Sequence, residues 1–261
     1  MILSLNHPAV EVIRFPDGQP HVRVREDQIP GEVDIEQRIR NAEELHLLCC
    51  LVDALRGRFV TIENLTIPYL MSARSDRRMV PGDAHGLQVV ARAINALQIP
   101  QVGIVDPHSS VALSLIENSF AIEPSLLLAG LRADVLVVPD SGAMVHAKRR
   151  AERLGASEIV SCVKTRDPES GDLRLKVVDP GLCTGKDCII VDDLCDGGAT
   201  FTAIAQQLFG VRYLTLAVTH GVFSKGFDAL APAFHRIICS NTYASSYPNQ
   251  PANLTIRRIC Q

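Results

Sequence analysis

Apolar residues along this chain fall into two alternating patterns. Short uninterrupted runs, rich in β-branched residues, occupy positions 59–67, 102–105, 135–138, 159–163, 189–191 and 214–218. Bounded by polar residues, such runs predict buried parallel strands. Around and between them, positions 36–55, 84–97, 111–116, 143–154 and 201–209 carry apolar residues at helical spacing and predict helices. Strand alternating with helix predicts an α/β fold, a mainly parallel sheet flanked by helices. In such folds the strand-to-helix loops open along one sheet edge, where ligand sites form. An apolar strand, an acid-bearing loop and a helix recur in each half. The chain therefore reads as two domains, 1–120 and 121–240, with a tail at 241–261.

Bulk properties narrow the classes. A formal net charge of −3 gives no electrostatic basis for binding nucleic acid. No apolar run is long enough to cross a bilayer. Residues 1–15 carry His7, Pro8, Glu11 and Arg14 where a secretory leader would have an apolar core. A cytoplasmic setting with no membrane partner is expected. Eight cysteines invite a disulfide or zinc reading, but no C-x-x-C occurs. Cys49 and Cys50 fall in a helical stretch, and Cys162, Cys188 and Cys239 in or beside strands. Buried free thiols are the expectation, with Cys195 also assigned to packing.

Positions 188–200 read C-I-I-V-D-D-L-C-D-G-G-A-T and concentrate the chemistry. The strand ends in two carboxylates, Asp192 and Asp193. Asp196, Gly197, Gly198, Ala199 and Thr200 then form the loop into the next helix. Backbone N–H groups near a helix N-terminus favour an anion. The two glycines admit close backbone approach and positive φ, and the Thr200 hydroxyl can donate to a phosphate oxygen. The carboxylates lie where sugar hydroxyls, or a metal bridging to them, would sit. An ordinary acidic turn with an N-cap threonine is the competing reading.

This stretch resembles the ribose-phosphate loop of phosphoribosyltransferases and phosphoribosyl pyrophosphate synthetases. Five further segments resemble the synthetases in family order. Positions 67–77, I-P-Y-L-M-S-A-R-S-D-R, are similar to I-P-Y-x-x-Y-A-R-Q-D-R. Positions 105–109, V-D-P-H-S, are similar to D-L-H-A, and 138–142, V-P-D-S-G, to S-P-D-x-G. Positions 15–19, F-P-D-G-Q, are similar to F-x-D-G-E, and 219–226, T-H-G-V-F-S-K-G, to T-H-x-x-x-S-G. The resemblance implies two type I phosphoribosyltransferase-like domains. It also implies a diphosphotransferase that moves the β,γ-diphosphate of ATP to the 1-hydroxyl of ribose 5-phosphate and releases AMP.

Residue roles follow from the same resemblance. Lys164 and Arg166, in V-K-T-R-D-P, match the catalytic loop, and Pro168, Ser170 and Gly171 fit a segment that closes over ATP. Arg74 is implied as a triphosphate ligand, with Ser75 beside it and Asp76 and Arg77 as an orienting pair. His108 and Asp140 match positions that hold magnesium, and His108 also lies among the ATP positions. A carboxylate suits that ion better than an imidazole does. Phe15, Asp17 and Gln19 match residues that reach the adenine of a neighbouring subunit, which implies a homo-oligomer with a shared site.

Departures leave the acceptor open. The family loop usually reads D-T-x-G-T, whereas this chain has D-G-G-A-T. Gly197 removes a phosphate-binding hydroxyl and is expected to create room for a larger acceptor such as ADP-ribose, giving ADP-ribose 1-pyrophosphate. Ser75 replaces a glutamine and Gln19 a glutamate. A shortened stretch between His108 and Asp140, and no C-terminal helix, argue for a dimer without the usual hexamer or its allosteric control. A phosphoribosyltransferase and an inactive regulatory relative remain as competing classes.

Overall fold

A computed structural model describes residues 1–25, 29–144, 146–166 and 173–261, with side chains for all of these except 141, 164–166, 173 and 174. The chain divides into two compact units, Met1–Glu123 with Gln261, and Pro124–Cys260. Among the described residues no helix is long and apolar enough to cross a membrane.

The first unit runs β1 (Ile2–Leu3), β2 (Val10–Arg14), β3 (Pro20–Val24), β4 (Glu32–Glu36), α1 (Ala42–Arg56), β5 (Thr61–Ile67), α2 (Gly86–Asn95), β6 (Gln101–Val105), α3 (Val111–Leu115) and β7 (Ser119–Ile122). Its sheet is parallel throughout, in the order β1-β4-β5-β6-β7, while β2 and β3 pair as a separate antiparallel hairpin. Helix α1 begins at Ala42 rather than at position 36, for a local reason. Glu36 completes β4, and the Asn41 side chain accepts from Glu44 N–H at 2.9 Å, capping the helix. Glu43 and Glu44 then sit in the first turn, where the helix dipole favours acids. Leu48, Leu51 and Leu55 form its fully buried stripe.

The second unit runs β8 (Val135–Val138), α4 (Ser141–Met144), α5 (Ala147–Leu154), β9 (Glu158–Arg166), β10 (Leu173–Val177), β11 (Asp187–Cys195), α6 (Ala199–Ala205), β12 (Tyr213–Gly221), β13 (Arg236–Ser240) and β14 (Leu254–Arg257). Its sheet is ordered β10-β9-β8-β11-β12-β13-β14, with β10 alone antiparallel to its neighbour. Residues 241–260, read from sequence as a tail, supply the edge strand β14. Residues along β8 and β11 alternate between two cores. Val135, Val137 and Ile190 pack with Phe201 and Ile204 on one face. Leu136, Val138, Ile189 and Val191 pack with Ala147, Ala151 and Leu154 on the other. Burial on both faces is why these strands read as continuous apolar runs. The strand order reverses between β8 and β11, the kind of position where α/β folds place ligands.

Strand β11 extends past the 189–191 run, so Asp192 and Asp193 lie inside the strand, and Ala199 and Thr200 open α6. The loop proper is Asp196, Gly197 and Gly198.

One residue works against the fold. Phe59, just after α1, has a left-handed φ of 60° and is 94% exposed. Phe59→Gly should stabilise the protein by roughly 0.5–1 kcal/mol, the relief of left-handed strain less the added chain entropy. A raised urea midpoint at unchanged slope is the expected readout.

Candidate functional site

In the first unit the C-terminal ends of the adjacent strands β5 and β6 carry the loops of interest. The chain leaving β5 is held by a parallel bridge between Ile39 and Leu70, with Met71 N–H donating to the Ile39 carbonyl at 2.7 Å. It turns at Ser72, whose φ is 61°. Ser75 then ties the loop to α2. Gly86 N–H donates to its Oγ at 3.2 Å, and Leu87 N–H to its carbonyl at 3.1 Å. These are early amides of the helix, which have no intrahelical acceptor. The serine at this position therefore serves as a helix cap supplied from another loop.

Asp76 joins this loop to the one that follows β6. Arg77 donates to it through Nε at 2.9 Å and Nη2 at 3.2 Å, and the Ser109 hydroxyl donates at 2.8 Å. Those hydrogen bonds, with the nearby charges of Arg77 and His108, hold the buried carboxyl at about 2 even though burial opposes this. Its contribution to stability is present above the ordinary aspartate range and is lost as pH falls from about 4 towards 2. Arg74, Ser75, Asp76, Arg77 and His108 together line a cavity of about 660 Å³, completed by Met79, Asp83 and Ala84. Its walls bring two guanidinium groups to one opening, which suits a polyanion. Ser109 was not among the residues singled out from sequence; its role depends on a contact 33 positions away.

Phe15, Asp17 and Gln19 occupy the tip of the β2–β3 hairpin and do not line that cavity. Gln19 N–H donates to Asp17 Oδ1 at 3.0 Å, and Gly18 takes a left-handed φ of 86°. Asp17 thus shapes the turn. Phe15 is half exposed, with the His21 ring beside it at 5.7 Å.

In the second unit Asp192 and Asp193 lie on β11, and Asp140 follows β8, on the two sides of the strand-order reversal. Burial, the charge of Asp193, and more weakly that of Asp140 push the Asp192 carboxyl up to about 8. A cation would relieve this crowding. Among the described residues no three His, Cys, Asp or Glu side chains are grouped to hold a metal on protein ligands alone. Magnesium does not require such a group, since it keeps waters and binds through one or two carboxylates and substrate oxygens. The donor set at the ends of β8 and β11 fits that habit. His108 belongs to the first unit and Asp140 to the second.

The loop after β11 is tightly specified. Gly198 has a left-handed φ of 79°, and a Cβ there would come within 2.8 Å of the Leu230 side chain, so only glycine fits. Gly197 is different, because its φ is not left-handed and a Cβ there would be in contact rather than in collision. It would meet the stem of the exposed Lys225 at 3.3–3.5 Å. The lysine stem is therefore the neighbour of the space beside Gly197. Asp196 is engaged with the neighbouring turn, accepting from the Ser224 hydroxyl at 2.5 Å, while Ser224 N–H donates to the Asp196 carbonyl at 3.2 Å. Thr219 and His220, at the end of β12, belong to a buried network. Ser240 and Thr242 hydroxyls donate to the Thr219 carbonyl at 2.6 and 2.9 Å, and His220 Nδ1 lies 2.9 Å from Thr242 Oγ1.

Lys164 and Arg166 lie on β9 in register with β10, at Leu175 and Leu173; their side chains are outside the described residues, as are Pro168, Ser170 and Gly171. All eight cysteines are free. Burial pushes the Cys195 thiol up to about 12, so it packs and does not serve as a nucleophile at neutral pH.

The raised Asp192 value has a sign that can be read in stability. Below about pH 4 the group is protonated whether the chain is folded or unfolded. Between about 4 and 8 only the unfolded chain loses the proton, so stability falls as pH rises. In the presence of a chelator, Asp192→Asn should flatten that slope. It should also raise Tm at pH 8 by about 2–4 °C for each kcal/mol recovered, with little effect at pH 4. Parallel Tm–pH curves for parent and variant would contradict it.

No family model matches the chain. It is 27% identical over 273 residues to the ribose-phosphate pyrophosphokinase of Sulfurisphaera tokodaii, covering 98% of this chain and 90% of that protein. It is 32% identical over 230 residues to the ribose-phosphate pyrophosphokinase of Xylella fastidiosa, covering 82% and 70%. The crystal structure of phosphoribosylpyrophosphate synthetase from Mycobacterium smegmatis superposes with a TM-score of 0.83 at 24% identity, covering 96% of this chain and 86% of that one, and so shares its fold. With this sequence identity, coverage and α/β architecture in agreement, the chain belongs to the ribose-phosphate pyrophosphokinase family of diphosphotransferases.

Proposed function

We propose that the chain transfers the β,γ-diphosphate of ATP to the 1-hydroxyl of ribose 5-phosphate, giving phosphoribosyl pyrophosphate and AMP. The observation that carries this reading is the turn at Gly198, locked left-handed under Leu230 at the end of β11. It sets the first amides of α6 next to the strand that bears Asp192 and Asp193. Amides for a phosphate and carboxylates for vicinal hydroxyls are the two contacts that a ribose 5-phosphate needs. Family membership supports the same substrate.

The remaining residues fit roles in this reaction. The cavity with Arg74 and Arg77 suits the triphosphate, which guanidinium groups grip bidentately. Phe15, Asp17 and Gln19, on the exposed hairpin tip, fit contact with adenine bound by a neighbouring copy in a homo-oligomer. Catalysis at a phosphorus ringed by anionic oxygens depends on positioning and charge, and Lys164 and Arg166 supply cations for it. Magnesium would neutralise phosphate charge when bound; Asp140 is the carboxylate that would serve it in the second unit, and His108 the corresponding position in the first. Asp192 and Asp193 orient the sugar so that its 1-hydroxyl faces the phosphorus, and Asp196 holds the Ser224 turn against the loop. Eight free thiols fit a reducing, cytoplasmic setting.

The test is AMP release from ATP and magnesium with ribose 5-phosphate and ADP-ribose side by side. Faster release with ribose 5-phosphate is the expected result. Faster release with ADP-ribose would establish the second acceptor reading, which rests on the departures at Gly197 and Ala199. Release with neither would sink the assignment and leave a regulatory relative. Lys164→Ala should leave acceptor and ATP binding largely intact and lower kcat by about 100-fold or more, since its charge matters most in the transition state. An unchanged kcat would remove its catalytic role.

A further inference from the structure

The turn after β12 is built in a strained way. Phe223 is a buried, non-glycine residue with a left-handed φ of 49°. Its ring is fixed between Phe227 at 4.7 Å and Tyr247 at 5.2 Å. Gly226 N–H closes the turn by donating to the Phe223 carbonyl at 2.8 Å, with Gly226 itself left-handed at 69°. Backbone strain of this kind persists where surrounding structure enforces it, often beside a ligand. The turn presents an exposed pair, Ser224 and Lys225. Ser224 is doubly bonded to Asp196, and the Lys225 stem lies across Gly197, with its Cγ, Cδ and Cε at 3.3–3.5 Å from where a Cβ would stand. The ammonium, one bond beyond Cε, is thereby carried alongside the loop that opens α6.

We propose that Lys225 is the phosphate-recognition residue of this loop, its ammonium contacting the 5-phosphoryl group of the acceptor where Gly197 offers no hydroxyl. This rests on the ribose-phosphate reading of the loop given above. A side chain at 197 would stand in contact with the lysine stem, so a hydroxyl donor at 197 and a cation at 225 reach the same side of the loop and can serve the same task. The exchange replaces a neutral donor by a charged one, which forms the stronger bond to a phosphate oxygen. Both ribose 5-phosphate and ADP-ribose carry the 5-phosphoryl group, so the proposal holds for either acceptor.

Calorimetric titration of the full chain with each acceptor, without ATP, gives the test, alongside steady-state kinetics. Lys225→Ala should weaken binding of the acceptor by at least about tenfold, raise its KM, leave the KM for ATP unchanged, and reduce the salt dependence of acceptor binding. Lys225→Arg should restore most of the loss. Gly197→Thr with Lys225→Ala should recover affinity over Lys225→Ala alone, because the threonine hydroxyl then supplies a donor where the cation was lost. Circular dichroism confirms that each variant folds. Unchanged acceptor affinity in Lys225→Ala overturns the proposal while leaving the function intact. A loss seen with ADP-ribose but not with ribose 5-phosphate also overturns it, by assigning the lysine to the outer phosphate. Failure of the parent protein to bind either acceptor would overturn the ribose-phosphate reading itself, and the proposal with it.

Discussion

Like charge brought together at the end of a buried strand is the constraint around which the second unit is arranged. Asp192 is carried into position by β11, whose preceding residues are buried on both faces, and Asp140 follows β8 next to it. Neither strand can move its carboxylate away without breaking two cores. The charge repulsion is thus held in place by apolar packing, and the protein without ligand keeps a proton on Asp192 to lessen it. A site of this kind is prepared for a cation and for hydrogen-bond donors such as sugar hydroxyls. Binding a cation or such donors would recover the free energy that the crowding costs.

Asp76, in the first unit, is the counterpart. It is also buried, yet two guanidinium nitrogens and a serine hydroxyl satisfy it. Its carboxyl is accordingly held down where that of Asp192 is pushed up. The first is a joint between two loops, and its satisfied state leaves little to offer a ligand. The second accepts from Asp193 N–H at 3.0 Å but has acidic neighbours and no cation among the groups acting on it. Side chains of one type, both at sheet edges, thus differ in the charge that their partners leave uncompensated.

Much of this was legible in the sequence, and the gaps have physical causes. Runs such as 135–138 and 214–218 were read as strands because burial on both faces leaves no polar interruption. The hairpin β2–β3 went unread because its strands are short and only P-H-V-R-V alternates with period two, whereas in V-E-V-I-R the adjacent Val12 and Ile13 break the alternation. The start of α1 was placed too early because β4 ends where the helical pattern seems to begin. In the site, the residues of the ribose-phosphate loop could be named from their order, but their geometry could not. That Gly198 is dictated by Leu230, while Gly197 merely adjoins Lys225, depends on side chains 28–32 positions away. Ser109 was hidden for the same reason. Motifs locate chemistry along a chain; contacts between motifs belong to the fold.

The contact between positions 197 and 225 also bears on descent. Starting from this chain, a side chain at 197 would touch the lysine stem at 3.3–3.5 Å, a distance to which an exposed, flexible chain can yield by a few tenths of an ångström. The two positions can therefore change in either order. A loop that carries a hydroxyl and a cation together is a passable intermediate, so the task of holding a phosphate can be handed from one position to the other without a stage that lacks both.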